Sequence, residues 1–539
     1  MNPTRPDPFA PPAPRPPRSV VMWAMALIYL LVGVVGHDPW RGDDARFFGP
    51  VLEMLNGQHW LIPHIVGEPF LEYPPLYYWV AALTAKLTAW ILPWHDGARL
   101  ASALMVGLTL WLCADGARRL HGDPARPSAF LLLLGTLGLV VHAHETQPLL
   151  AVMATQALTF WGVAYTTRRP LAGAVAAGLG VGLAFLANGV QAVIFVAPAL
   201  FFLPGVVAML VGVGAAIATA AAWLVPASSA QGELLTLWWQ VHLLGLTPNP
   251  GKLMDAEGVF GLLGWFIWPL WPVAGWALWR ERHRLNRPTW RMLIACTLIA
   301  LLSYLLLGTL RPANALPLIV PFAMIASAGL ITLRRGAANF FNWFSGMNFA
   351  VFAILLWIGW TALTLSWPPG LSRHVAKVAP NFVVGDTLIP SIIGVVLCLL
   401  WLGLLINSSR SPYRGAKNWA AGMTMLWCLA VMLLQPWFEH GKSYRPAAES
   451  LQAVLAANPV RCIERLDVSP SLRVSLDYFA GIRTQAFKAA GSGCDAVLAY
   501  GLERPRVLDA DWHAKWTYAR GGGNKREEIR LYLNERTPR

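Results

Sequence analysis

Charge is what this chain lacks. Of its 539 residues, 13% are Asp, Glu, Lys or Arg, about half the ~25% usual in soluble domains. A surface that poor in charge excludes a water-soluble exterior, and with 56% hydrophobic residues and 27 tryptophans much of it must face lipid. Acids are the scarcer sign, 28 against 42 basic residues, for a net charge of +14. Such an excess suggests nucleic acid, but the basic residues never gather into one patch, so no nucleic-acid partner is expected. Cysteine is also sparse. The six residues show no C-x-x-C spacing, which removes the common zinc-site patterns.

What is abundant is apolar sequence in runs of about 20 residues, the length that crosses a bilayer as a helix. Helices satisfy every backbone polar group internally, so an all-α polytopic bundle is expected. Thirteen spans are predicted, near 19–36, 98–117, 128–145, 148–166, 171–187, 189–204, 206–226, 257–279, 290–308, 315–333, 348–367, 388–406 and 418–436. Residues 1–18, rich in proline with three arginines, read as an unfolded tail. The run at 19–36 imitates a signal peptide but has no small-x-small cleavage site, so it reads as a retained span.

Orientation follows from Lys and Arg, which favour cytoplasmic loops. Arg118 and Arg119, Arg168 and Arg169, RERHRLNR from 280, Arg334 and Arg335, and RSPYRGAK from 410 fall at alternate loop boundaries. They share one side only if the N-terminus is cytoplasmic. An odd number of spans then puts the C-terminus outside.

Two polar regions therefore face outward, residues 37–97 and the tail 437–539. In the tail, CIERLDV and CDAVLAYG read as strands and SLRVSLDYFAG as a helix, while WTYARGGGNKREEIRLYL reads as strand, glycine turn and strand. A small α/β domain is expected there. Cys113, Cys296, Cys398 and Cys428 lie in spans as small apolar residues. That leaves Cys462 and Cys494 outside, where a disulfide is expected.

The first outer loop carries the chemistry-bearing residues. GDDARFFGPVLEML (42–55) has helical spacing, with Phe47, Val51, Leu52 and Leu55 on one face, and is expected to lie flat on the membrane. A second helix rich in tyrosine and tryptophan follows Pro74-Pro75. Asp43, Asp44, Arg46, Glu72 and Tyr73 are thus presented at the bilayer boundary. The plain alternative is that they are solvated loop charges that only set topology.

The loop resembles the first periplasmic loop of the GT-C membrane glycosyltransferases related to aminoarabinose transferase and protein O-mannosyltransferase. The family pattern is an acidic pair before Ala-Arg, an "EML" segment, then acid-x-Pro-Pro-Leu-Tyr-Tyr-Trp. The matching residues are GDDARFFGPVLEML and HWLIPHIVGEPFLEYPPLYYW. ARLASALMVGLTLWLCADGARRLHG (98–122) resembles the family's next span, and RPANALPLIVPFAMIASAGL (311–330) a later segment whose prolines mark an outer span end. The resemblance implies a bacterial inner-membrane enzyme that moves a sugar from a polyprenyl-phosphate donor to a lipid A, glycan or other acceptor at the outer face. It implies Asp43 as the essential acid, with Asp44, Arg46, Glu72, Tyr73 and Arg311 around the donor. Glu72 takes a position linked to a divalent cation in some relatives. A guanidinium suits a carrier phosphate, and a carboxylate suits the proton of an attacking hydroxyl.

HAHETQP (142–148) supplies Glu145 as the candidate second carboxylate. His142 and His144, at i and i+2, do not share a helix face, which argues against a two-histidine metal site. The chain departs from the family at Tyr73, where aminoarabinose transferases carry lysine, and at Asn188-Gly189-Val190, which replaces Lys-Gly-Pro. His242 in WWQVHLLGLTPNPGKL matches poorly. FIWPLWPVAGWALW (266–279) reads as bilayer-facing packing. Two other classes compete. A lipid-linked-sugar flippase should carry mid-span acids, and Asp115 near a cytoplasmic end is nearly alone. A non-catalytic assembly protein would tolerate a degenerate loop.

Overall fold

The computed structural model describes residues 16–248, 256–307, 311–380, 382–488, 494–501, 505, 507–508, 511–521 and 527–534, without the side chains of 256–258. The tail over 1–15 and the turn within 522–526 lie outside the described residues. Among those described, seven helices are long and apolar enough to cross a membrane. The pair Val259–Phe266 and Leu270–Arg280, bent by 85°, makes an eighth if counted as one broken span. Four more apolar helices have only 10–17 residues. At about 1.5 Å per residue they fall short of a ~30 Å hydrocarbon core. The short helices nevertheless join the two ends of the bundle: His121 and His142 lie at opposite ends, as do Gln147 and Tyr165, and Arg311 and Ser327, so helix length alone does not overturn the thirteen expected spans.

The fifth and sixth expected runs fall on one helix, Pro170–Val196, broken at Asn188 and Gly189. The glycines show what happens at the break. A Cβ on Gly178 would strike the Gly212 carbonyl at 2.0 Å, and one on Gly182 would meet Thr219 at 2.5 Å. Residues 178–182 therefore run parallel to 212–219 of helix Gly205–Leu244. Two consecutive helices can run parallel only if the chain returns between them, so Gly189, at φ +59°, reverses it. Residues 190–203 lead back to the end where Leu200 and Leu203 pack on Gly212.

The basic clusters gather at one end of the bundle. His121, Arg284, Arg287 and Trp290 line one cavity there, and the Tyr413 hydroxyl donates to the Pro124 carbonyl. Asp115 belongs to the same end, tied by Arg118 and Arg119 and by the Trp161 indole. The first loop and the C-terminal domain share the other end.

Helix Asp43–Leu55 does not lie flat on lipid. It is buried from Asp44 to Met54 except Arg46, because it is wedged between helices Leu76–Thr88 and Trp94–His121 and a helix of the C-terminal domain, Pro470–Ala480. Gly49 makes the wedge possible: a Cβ there would lie 2.6 Å from Val474 Cγ2. The apolar spacing was right, but both sides of the helix meet protein.

The last long helix, Arg414–Lys442, extends past residue 437, so the C-terminal domain starts near Ser443. Five strands form its sheet, in spatial order Gln485–Ala486, Ile463–Leu466, Ala496–Tyr500, Glu527–Asn534 and Trp512–Arg520. The first three are parallel and the rest antiparallel. Cys462 and Cys494 are disulfide-bonded, and the other four cysteines are free. Arg465 and Arg473 both bind Glu68 of the first loop, at 2.7 and 2.9 Å, clamping the domain onto it.

Candidate active site

Gly42 turns the chain into helix Asp43–Leu55 at φ +101° and ψ −137°, a conformation open to glycine and costly for other residues. Two acids then occupy the first turn, where the helix dipole favours negative charge. Their side chains diverge.

Asp44 points into the protein and is 2% exposed. Its carboxylate accepts from Arg99 at 2.8 Å, from the Trp40 amide at 3.0 Å and from the Thr146 amide at 2.8 Å. Burial opposes its ionisation, but the Arg99 guanidinium overrides this and holds it well below the usual carboxylate range. Arg99 also donates to Asp96 at 2.9 Å and to the carbonyls of His37 and Asp38 at 2.9 and 2.7 Å. Asp44 is therefore an anchor. Its lone pairs are taken by protein donors, which corrects the expectation that it touches the donor substrate.

Asp43 is half-buried and, among the described residues, accepts no hydrogen bond and forms no ion pair. Burial, and then the neighbouring Glu145 carboxylate, push its carboxyl above the ordinary value, against the pull of Arg311, Arg46 and His142. The knot below it explains why Glu145 is so near. The Thr146 amide binds Asp44, the Ser102 hydroxyl donates to the Glu145 carbonyl at 2.6 Å, and the Gln147 amide meets the Tyr77 hydroxyl at 3.1 Å. Backbone bonds to 145–147 thus set the second carboxylate beside the first. Glu145 Oε1 lies 2.5 Å from His142 Nδ1.

Glu72 completes the cluster. It pairs with Arg46 and, at 3.3 Å, with Arg311. The Arg46 guanidinium also lies over the rings of Phe47 and Phe70, at 5.5 and 5.3 Å. Burial raises the Glu72 carboxyl despite both arginines. Tyr73 is buried edge-on against Phe47, with ring centroids 5.4 Å apart, and burial pushes its hydroxyl far up. The phenol supplies no charge where the family lysine would.

Five of the seven residues singled out from sequence (Asp43, Glu145, Arg46, Glu72 and Arg311) form one cluster, with Tyr73 packed behind it and Asp44 beneath. His144 is elsewhere: its Nε2 meets the Tyr29 carbonyl at 2.6 Å and its ring stacks on Trp427. His242 braces the loop from outside, 3.1 Å from the Leu71 carbonyl. Sequence reasoning passed over Arg99 and weighed His142 only against a two-histidine metal site, not as a partner of Glu145. Arg99 had a legible signal, an arginine inside the apolar run ARLASALMVGL.

A divalent cation at Glu72 does not fit this arrangement. Both its oxygens face guanidinia, and among the described residues no group of three or more His, Cys, Asp or Glu is placed to hold a metal ion.

Curated relatives agree with the fold. The chain is 23% identical over 448 residues to undecaprenyl phosphate-alpha-4-amino-4-deoxy-L-arabinose arabinosyl transferase 2 of Pseudomonas fluorescens, covering 77% of this chain and 70% of that protein. It is 25% identical over 443 residues to the corresponding transferase of Pseudomonas paraeruginosa, covering 77% and 75%. No family model matches. Among solved structures, ArnT from Cupriavidus metallidurans bound to undecaprenyl phosphate superposes with a TM-score of 0.62 at 17% identity, covering 96% of this chain and 99% of that one. Its apo state gives 0.64 over 95% and 97%. The chain thus has the GT-C fold of membrane glycosyltransferases and, in sequence as in fold, resembles the aminoarabinose transferases.

Proposed function

We propose that this protein transfers a sugar from a polyprenyl-phosphate carrier to an acceptor at the outer face of the bacterial inner membrane, with lipid A, which the first-loop resemblance implies, as the acceptor. The observation that carries the proposal is Asp43, a half-buried carboxylate that no described donor takes up, set between a second acid and two arginines.

Transfer joins an acceptor oxygen to the anomeric carbon and breaks the bond from that carbon to the carrier phosphate, which leaves with the electron pair. Arg46 and Arg311 both pair with Glu72, which brings together two guanidinia of the kind that grips a phosphate. Their charge stabilises the leaving group, so no acid has to protonate it. The hydroxyl proton goes to Asp43, whose raised pKa brings it nearer the working pH of a general base. Glu145 keeps Asp43 basic and faces the positive charge that develops on the sugar ring. A cavity of about 500 Å³ adjoins Arg311 and His142 and is lined by Leu137, Val141, Leu262, Trp265, Phe266 and Pro312. Its apolar wall suits the isoprenoid chain. Tyr73 and the missing cation leave the identity of the sugar open to a donor other than aminoarabinose.

Orientation belongs to the same proposal: the N-terminus is cytoplasmic and the C-terminal domain periplasmic. A reporter active only outside the cytoplasm should be active when fused after residue 440 and inactive after residue 122. The chemical test is a transfer assay with purified protein, polyprenyl-phosphate-linked sugar and lipid A. Full activity in Asp43→Asn would remove Asp43 as the base, and absence of transfer by the wild-type protein would favour an assembly protein.

A further inference from the structure

Helix Ser19–Leu31 leads into the first loop, and helix Arg414–Lys442 ends beside that loop. The two run parallel and are fastened at the loop end. There the Trp427 indole donates to the Val32 carbonyl at 2.7 Å, and the Gln435 side-chain amide to the Gly36 carbonyl at 2.7 Å. At the basic end of the bundle a cavity of about 280 Å³ lies between them. Each helix presents the same pattern to it. Arg18 caps the first helix, and Val21 and Met25 follow at i+3 and i+7; Arg414, Lys417 and Ala421 repeat the spacing on the second. Such spacing keeps residues on one helix face. Charge therefore stands at the rim and apolar carbon deeper, with Leu404 as a third wall. From Arg18 to Met25 the face is about 10 Å long.

The three cations are unbalanced. Among the described residues none of them forms an ion pair, and no acid lines the cavity. The Arg414 Nε is buried and has no hydrogen-bond partner, and Arg414 and Lys417 repel each other. Arg118 and Arg119, at the same end, differ in this respect, because Asp115 neutralises them. Both helices also begin at the cavity, so their positive dipole ends add to its field.

We infer that this cavity binds an anionic phospholipid, its phosphate held by Arg18, Arg414 and Lys417 and its acyl chains lying along Val21, Met25, Leu404 and Ala421. In the orientation proposed above it comes from the cytoplasmic leaflet. A free phosphate would leave the apolar depth of the cavity unused. The segment 1–15 is a poor occupant, since it carries Arg5 and Arg15 against the single acid Asp7. The lipid fills a gap between two helices whose far ends frame the first loop, and steadies that pair without touching the carboxylates.

The test uses purified full-length protein stripped of lipid in a neutral detergent. It is titrated with phosphatidylglycerol, with phosphatidylcholine of the same acyl chains and with inorganic phosphate, and read by melting temperature and native mass spectrometry. Phosphatidylglycerol should bind and raise the melting temperature, and the other two should do so far more weakly. Arg18→Gln, at an exposed position, should weaken binding about fivefold, and Arg414→Gln combined with Lys417→Gln about 25-fold, the worth of one and two charges at a lipid surface. If the double variant fails to fold, Arg18→Gln decides. Val21→Trp narrows the apolar part without changing charge and should also weaken binding. Arg168→Gln combined with Arg169→Gln removes two exposed charges from the same end, outside the cavity, and should leave binding unchanged. Phosphatidylcholine or inorganic phosphate binding as well as phosphatidylglycerol, full binding in Val21→Trp, or equal losses in the two double variants would overturn the inference. The titration needs no sugar transfer, so its failure and the failure of the transferase reading are separate results.

Discussion

Two neighbouring acids live in opposite physical worlds. Asp44 belongs to a buried knot in which every donor has an acceptor, and its ionised form is favoured strongly. Asp43, one residue earlier, belongs to a half-open cluster in which burial and a like charge work against ionisation. The first arrangement lowers the energy of the folded chain. The second raises it and leaves a carboxylate available. The contrast separates what holds the site from what the site does, and substitutions at the two positions should move stability in opposite directions.

The largest effect is expected at Asp44. Asp44→Asn leaves Arg99 buried with half its charge balance gone, and losing one partner of a buried pair costs about 3–5 kcal/mol. A fall in melting temperature in detergent, with loss of folded protein, checks this. The sign in pH follows from the lowered pKa. Asp44 contributes stability above the ordinary carboxylate pKa, and that contribution is lost only as pH falls through its folded-state value, far below. An unchanged melting temperature in Asp44→Asn would mean the knot is decorative.

Next comes Asp43→Asn. Transfer should fall by about 10² or more, within the range of general-base removal. Its melting temperature at neutral pH should hold or rise, because a raised folded-state pKa means the ionised group destabilises the fold. A variant both inactive and less stable would erase the distinction between the two acids. Arg46→Lys should follow, with a loss of about tenfold or more in kcat, since an ammonium cannot replace a fork that grips phosphate through two parallel bonds. The smallest effect is on pH dependence. Glu145 raises the Asp43 pKa, so the acid limb of the residual activity in Glu145→Gln should move to lower pH. A limb that stays put would show that some other group titrates.

Much of this was legible in the sequence, and the reasons are specific. Apolar runs of span length marked the bundle, and the acidic pair before Ala-Arg, with Glu72 before Pro-Pro, marked the loop that carries the cluster. The alternation of basic loops separated its two ends. What stayed hidden depended on tertiary contact. Helix Asp43–Leu55 has the spacing of a surface helix, and nothing in that spacing announces that Pro470–Ala480 will cover its other face. Asp43 and Asp44 look alike as letters and differ only through Arg99, Trp40 and Thr146, each brought from another part of the chain.

The clamp of Arg465 and Arg473 on Glu68, together with the pairing of Trp40 with Ser443, sets a timetable for the protein's own synthesis. The loop over residues 37–97 is made well before Ser443, Arg465 and Arg473, the residues that lock it. A nascent chain already threaded into the bilayer holds Glu68 and Trp40 without these partners. The loop is locked only once the chain has been made through Arg473, so a chain cut before the C-terminal domain leaves Glu68 unclamped.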